Sequence, residues 1–213
     1  RNDLYEMNIK SKKNINRVIY NPVIDKENYK HQRSNLFKHK WENVEYKKIL
    51  IVGRLVEQKN HKFCLKVFKN LYLENKNIRL IVLGDGQLKN MLINYSSKLN
   101  ISEAVDFIGF KENVFDYMKM CDVLVVTSLY EGFGNILVEA LFNHMHIVSI
   151  NCKGGPKEIL DYGKFGTLIN DYSIIHFKEA ILKKLYTKKR NINNRYNQFT
   201  TEKISQDYLK LIK

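Results

Sequence analysis

The sequence predicts an α/β fold: a doubly wound parallel sheet of about six strands, with helices on both faces. Three observations carry that prediction. Apolar runs of strand length recur along the chain, most are continuously apolar rather than alternating, and stretches of helical period separate them. Continuous apolar character is what a parallel strand needs when both its faces are covered, whereas a sheet with one wet face alternates.

The first strand, KILIVG (48–53), precedes HKFCLKVFKNLYLEN, which sets Phe63, Cys64, Val67, Phe68 and Leu71 on one helical stripe. The second, IRLIVLG (78–84), leads through LGDGQ into the helix QLKNMLINYSSKLN. Gly84 and Gly86 read as a tight turn, with Asp85 capping that helix. The third, AVDFIGF (104–110), precedes the helix NVFDYMKMC, and the fourth, DVLVVTS (122–128), precedes NILVEALFNH. HIVSIN (146–151) and GTLIN (166–170) complete the set. Two amphipathic helices, SIIHFKEAILKKLYTKK and FTTEKISQDYLKLIK, follow, separated by the polar RNINNRYNQ.

The first 45 residues do not join this rhythm. NRVIYNPVID (16–25) reads as one strand ending in a turn at Asn21-Pro22, and KENYKHQRSNLFKHKWENVEY as a connector or short helix. The expected division is therefore a connector (1–45), the main α/β domain (46–198) and a C-terminal amphipathic helix (199–213).

Composition narrows the function classes. A chain of 213 residues with 44% hydrophobic content can bury one substantial core. Cys64, Cys121 and Cys152 are widely spaced and odd in number, without a CxxC pair, so neither a zinc knuckle nor a disulfide framework is indicated. A reducing, cytoplasmic setting fits that usage. No apolar run approaches the roughly 20 residues needed to cross a bilayer. The net charge of +14 suits a polyanionic partner or simply a lysine-rich, solvated surface.

Ligands of open α/β sheets bind beyond the carboxyl ends of the strands, so the residues there carry the functional argument. After the first strand, Gly53 lets the backbone turn, and Arg54 and Lys59 bring two cations toward a helix start, a favourable place for phosphate. After the third, Gly109 permits close backbone approach and Phe110 could flank a flat ring. After the fourth, Gly132-Phe133-Gly134 opens into a helix near Asn135, with Glu131 before it and Glu139 one turn inside. Carboxylates only accept hydrogen bonds, so their natural mates are hydroxyls, as on a sugar or a ribose. Spacing alone leaves plain alternatives open: surface cations at 54 and 59, an amide cap at Glu131 and a solvated helix residue at Glu139. His144 and His146, two apart near a strand start, do not suit a shared metal.

These segments, in order, resemble the retaining glycosyltransferases of family 4, the group 1 glycosyl transferases with the two-domain GT-B fold. VGRLVEQKN, LIVLGDGQL, VDFIGFKENV, CDVLVVTSLYEGFGNILVEAL and SINCKGGPKEIL carry the likeness over about the last 165 residues. Glu131 and Glu139 match the family's pair of glutamates separated by seven residues. The resemblance implies a Rossmann-like, donor-binding C-terminal half of a GT-B enzyme. It assigns Arg54 and Lys59 to the donor diphosphate. Glu131 and the backbone of Gly132, Phe133, Gly134, Asn135 and Ile136 would meet the donor sugar and distal phosphate, and Glu139 the ribose hydroxyls. Gly109, Phe110 and Lys111 would face the nucleobase, and Gly53 would shape the phosphate loop. The donor would be a UDP- or GDP-sugar, with no metal or other cofactor required.

The acceptor, a glycan or a lipid-linked glycan, would bind an N-terminal domain that would precede Arg1. The same likeness suggests peripheral contact with anionic lipid at the inner face of the cytoplasmic membrane. Two other readings stay open. One is a non-catalytic nucleotide- or glycan-binding module. The other is a basic nucleic-acid-binding domain using KKLYTKKRNINNRYN, with Tyr186 and Tyr196 among its cations; that run reads more simply as a solvated helix end, so no nucleic-acid partner is expected.

Overall fold

The computed structural model describes residues 18–27, 37–188 and 194–212. Six strands, β1 (Lys47–Val52), β2 (Ile78–Leu83), β3 (Val105–Gly109), β4 (Val123–Val126), β5 (His146–Ile150) and β6 (Thr167–Ile169), form one sheet. Every pairing is parallel and the order is β3-β2-β1-β4-β5-β6. The helices are α1 (His61–Glu74), α2 (Lys89–Lys98), α3 (Val114–Met120), α4 (Asn135–Phe142), α5 (Pro156–Ile159), α6 (Ile174–Leu185) and α7 (Thr201–Ile212).

Alternation along each strand divides the core in two. In β1, Ile49 and Ile51 face a layer made by α1, α2 and α6, whose Phe68, Leu71, Leu92, Phe177 and Ile181 are buried. Leu50 faces the other side, where α3, α4 and α5 contribute Met118, Leu137, Leu141 and Ile159. Both layers exclude water from the sheet, and each fully buried Leu or Ile is worth about 1.5–3 kcal/mol. This is why the strands read as unbroken apolar runs. Ile24 and Trp41, upstream of β1, and Phe199, beyond α6, are buried in the α3–α4–α5 layer.

The expectation of a strand at 16–25 is corrected. Among the described residues of that segment there is only an isolated bridge, Ile24 to Thr200, and the ring of Tyr20 packs on Phe133 and Phe199 instead. A residue pattern that would suit a strand is used here to plug an apolar corner. Nine residues of KENYKHQRSNLFKHKWENVEY, 28–36, lie outside the described residues, as do 189–193 in the middle of the basic run, four of them in RNINNRYNQ. The remainder of the latter is a short 3-10 turn, Arg195–Phe199.

Asp85 does not cap α2. The residue before that helix is Leu88, with no side-chain cap, and Asp85 turns back: its Oδ1 accepts from the Gly86 amide at 2.8 Å and its Oδ2 meets Lys89 Nζ at 2.8 Å. A lysine four residues on offers a charge-assisted bond that outweighs a helix amide.

Candidate active site

The strand order reverses between β1 and β4. Chain leaving β1 turns to α1 on one face, and chain leaving β4 turns to α4 on the other. In open α/β sheets such a switch point at the C-terminal rim is where the ligand crevice lies. Local sequence then decides what lines it.

After β1, a 3-10 turn (Glu57–Lys59) and Asn60 in the left-handed region (φ 49°) swing Lys59 toward β4 before α1 begins. After β4, the loop 127–134 is held from both sides. Thr127 Oγ1 donates to the Lys59 carbonyl at 2.9 Å, the Leu129 amide donates to the Gln58 carbonyl at 2.8 Å, and Gln58 Nε2 donates to the Tyr130 carbonyl at 2.9 Å. On the other side the Glu131 amide donates to the Lys153 carbonyl at 2.9 Å. Gly154 and Gly155 are required there: a Cβ on either would lie 1.9 Å from the Glu131 carbonyl oxygen or 1.7 Å from that of Phe133. Gly134, at φ 96°, then starts α4.

These constraints bring Lys59 and Glu131 into contact across the crevice, Nζ to Oε1 at 2.6 Å. Their side chains are only 19% and 6% exposed, so the pair is shielded from bulk screening. The same Oε1 accepts from Ser128 Oγ at 2.6 Å, and the Ser128 carbonyl accepts from the Tyr172 hydroxyl at 2.9 Å. Glu131 therefore does not cap α4; it is the acceptor at the centre of a small network.

Glu139 differs. It sits on the second turn of α4, partly buried, and among the described residues no hydrogen bond or ion pair reaches its carboxylate. Burial raises its pKa above the ordinary carboxylate value. Arg54 is exposed and, among the described residues, without a side-chain partner. Phe110 is 73% exposed beyond β3, and Lys111 beside it is exposed. Gly53 ends β1 with the Lys59 stem against it, and Gly109 ends β3 facing Asp85 and Lys89.

The geometry thus joins one cation, Lys59, to one carboxylate, Glu131, beside the start of α4, with Arg54 exposed in the loop after β1 and Glu139 unpaired among the described residues. The family description for glycosyl transferases group 1 matches residues 32–202 of this chain. The chain belongs to this family. Among its relatives, an uncharacterized glycosyltransferase of Methanocaldococcus jannaschii is 34% identical over 80% of this chain and 45% of that protein. The N-acetylgalactosamine-N,N'-diacetylbacillosaminyl-diphospho-undecaprenol 4-alpha-N-acetylgalactosaminyltransferase of Campylobacter jejuni is 32% identical over 77% of this chain and 46% of its own length. The chain spans about half the length of these curated relatives. A structure of an S. aureus TarM mutant in complex with Fondaparinux, alpha-GlcNAc-glycerol and UDP superposes with a TM-score of 0.72 at 21% identity, over 78% of this chain and 35% of that one. The fold of this group 1 domain is thus the Rossmann-like sheet found in part of the GT-B enzymes.

From the sequence alone, Ser128, Gln58, Tyr172 and His61 receive no role. Ser128 stands three before Glu131 and Gln58 beside Lys59, so proximity in the chain could have found them. Tyr172 lies 44 residues from the Ser128 carbonyl it holds, and nothing local marks it. His61, at the start of α1, is 3% exposed, and among the described residues neither ring nitrogen has a hydrogen-bond partner. Burial first, and Lys59 second, push its pKa down to about 4. The two other histidines of interest are used elsewhere: His146 Nε2 lies 3.0 Å from the Thr187 carbonyl, and the His144 ring meets Tyr196 edge-on. Among the described residues no His, Cys, Asp and Glu group could hold a metal ion, and no helix is long and apolar enough to cross a membrane. All three cysteines are buried, and none is in a disulfide. Of the aromatics of the basic run, Tyr186 is exposed, its hydroxyl accepting from Asn75 Nδ2 at 2.7 Å, and Tyr196 packs edge-on against Phe142.

Proposed function

We propose that this chain is the donor-binding half of a glycosyltransferase that moves a sugar from a nucleoside diphosphate sugar, UDP- or GDP-linked, to a glycan or lipid-linked acceptor with retention of configuration. The observation that carries this reading is the shielded Lys59–Glu131 pair at the switch point, followed on α4 by Glu139, whose carboxylate has no partner among the described residues. Residues 46–198 would form the nucleotide-sugar-binding unit, with 1–45 as connector and 199–213 as a closing helix. The acceptor would be held by the other half of a protein about twice this length.

In this reading the diphosphate lies between the β1 and β4 loops. Lys59 has two ammonium hydrogens beyond the one given to Glu131, and Arg54 has its whole guanidinium to offer. As the bond from the anomeric carbon to the diphosphate oxygen breaks, charge grows on that oxygen, and the two cations and the α4 amides stabilise it. One such preorganised donor is worth roughly 10²–10³ in rate. The acceptor oxygen bonds the same face of the anomeric carbon, and its proton passes to the departing phosphate. Glu131, oriented by Ser128 and Tyr172, would accept from donor-sugar hydroxyls, and Glu139 from the ribose. Gly109, Phe110 and Lys111 would border the base. The net charge of +14 would favour peripheral contact with anionic lipid on the cytoplasmic side, each nearby cation adding about 1 kcal/mol.

Calorimetric titration of UDP and GDP into the chain tests the site. One of them binds, and Arg54→Ala weakens it about tenfold or more, the worth of a charge-assisted hydrogen bond. No heat from either at millimolar concentration would remove the donor site.

A further inference from the structure

Away from the crevice, a second concavity of about 510 Å³ opens along β6. That volume falls in the range of small-molecule sites, about 300–1,000 Å³. Its lining joins Asn151 after β5, Lys157 on α5, Tyr162 in the α5–β6 turn, Thr167 on β6 and Asn170 after it, with two glycines and Leu168 between. None of these residues takes part in the Lys59–Glu131 network.

Tyr162 is the telling member. It is 76% exposed, and both it and Asp161 lie in the left-handed region, at φ 56° and 48°. An aromatic residue in that conformation is an outlier that glycine or asparagine would occupy at lower cost. Such outliers gather at ligand sites, where a side chain is held in a set position. Here the strained turn presents a bare ring at the mouth of a polar groove, and Lys157 Nζ stands 5.0 Å from the ring centroid. At the far end, Asn151 Nδ2 donates to Asn170 Oδ1 at 2.8 Å. That bond aligns the two amides and leaves the Asn151 oxygen and the Asn170 nitrogen, one acceptor and one donor, without a further partner among the described residues.

We propose that this groove is a saccharide subsite, distinct from the donor crevice. A sugar ring has an apolar C–H face, which stacks on an exposed tyrosine, and a rim of hydroxyls, each needing both a donor and an acceptor. Tyr162 supplies the platform, the amide pair supplies donor and acceptor, and Thr167 and Lys157 supply further polar contacts. Asn151 follows β5, the strand next to β4, so the groove begins one strand along the same rim. An oligosaccharide reaching the crevice could lay a distal unit here. This step rests on the reading above only in taking glycans as the molecules that reach the rim.

Saturation-transfer NMR of the chain with maltotriose, chitotriose and trigalacturonic acid tests it, with UDP as a separate arm. At least one trisaccharide receives transfer at millimolar concentration. Tyr162→Gly, which removes the ring while suiting the left-handed backbone, weakens that binding about fivefold to tenfold and leaves UDP binding unchanged. Asn170→Ala, which keeps the turn intact, weakens it as well. Transfer to none of the three, or transfer undiminished in both variants, overturns the subsite even if UDP binds. Failure of UDP to bind, with ring-dependent trisaccharide binding retained, overturns the donor reading and leaves the subsite standing.

Discussion

Glu131 and Glu139 occupy one loop and the helix it feeds, yet their surroundings differ in kind. Glu131 is nearly enclosed and has an ammonium and a hydroxyl on the same oxygen. Glu139 is partly enclosed and has neither, so desolvation acts on it without compensation and its pKa rises. The contrast teaches that the rim separates two uses of a carboxylate. One belongs to a network that positions the loop, and the other is desolvated without a partner among the described residues, at a cost to the fold.

The sharpest way to break this comparison is to make the first glutamate resemble the second. Lys59→Met keeps the apolar stem against Gly53 but strands a buried carboxylate. We expect a loss of about 3–4 kcal/mol in denaturant unfolding, softened by the remaining Ser128 hydroxyl. A loss below about 1 kcal/mol would show the pair to be a screened surface contact and dissolve the distinction.

His61 offers a control of opposite sign beside the same lysine. Its folded pKa, about 4, lies below the ordinary 6.5, so the unfolded chain binds more protons between those values. Stability is full above pH 6.5 and falls as pH drops toward 4, by on the order of 3 kcal/mol. His61→Leu should flatten that limb of the stability–pH curve. An unchanged acid limb in the variant would place the titrating group elsewhere.

The smallest effect concerns Glu139. Its folded pKa is raised, so the native state binds more protons than the unfolded chain above the usual value of 4.5. The group weakens the fold as pH rises through that raised value and ceases to do so below 4.5. Glu139→Gln should therefore melt higher than the parent at pH 7, with the gap closing in acid, while nucleotide affinity falls. A variant that melts lower at pH 7 would mean the carboxylate has a stabilising partner.

The glycines of the fifth βα turn show how far local reading reaches. SINCKGGPKEIL is legible as a glycine-rich turn after the fifth strand, through its likeness to the family's segment. That Gly154 and Gly155 exist to admit the backbone of the Glu131 loop is a fact about another strand's connection. Asp85 fails in the same way: a cap is the sensible local reading, and a lysine one helical turn on takes the carboxylate instead. Ile24 and Tyr20 have strand-like neighbours in sequence but settle into a corner that only the assembled α4 and the Arg195–Phe199 turn create.

By itself the sequence determined the six strands, the helices after the first four of them and the eight-residue step from Glu131 to Glu139, because strand and helix periods are local and a step along one loop and helix is short-range. Tertiary structure alone decided the strand order, and with it the meeting of Lys59 with a glutamate 72 residues away. It also decided which carboxylate is satisfied and which is desolvated. Such properties depend on the dielectric and the donors around a group, and packing distant segments is what sets both.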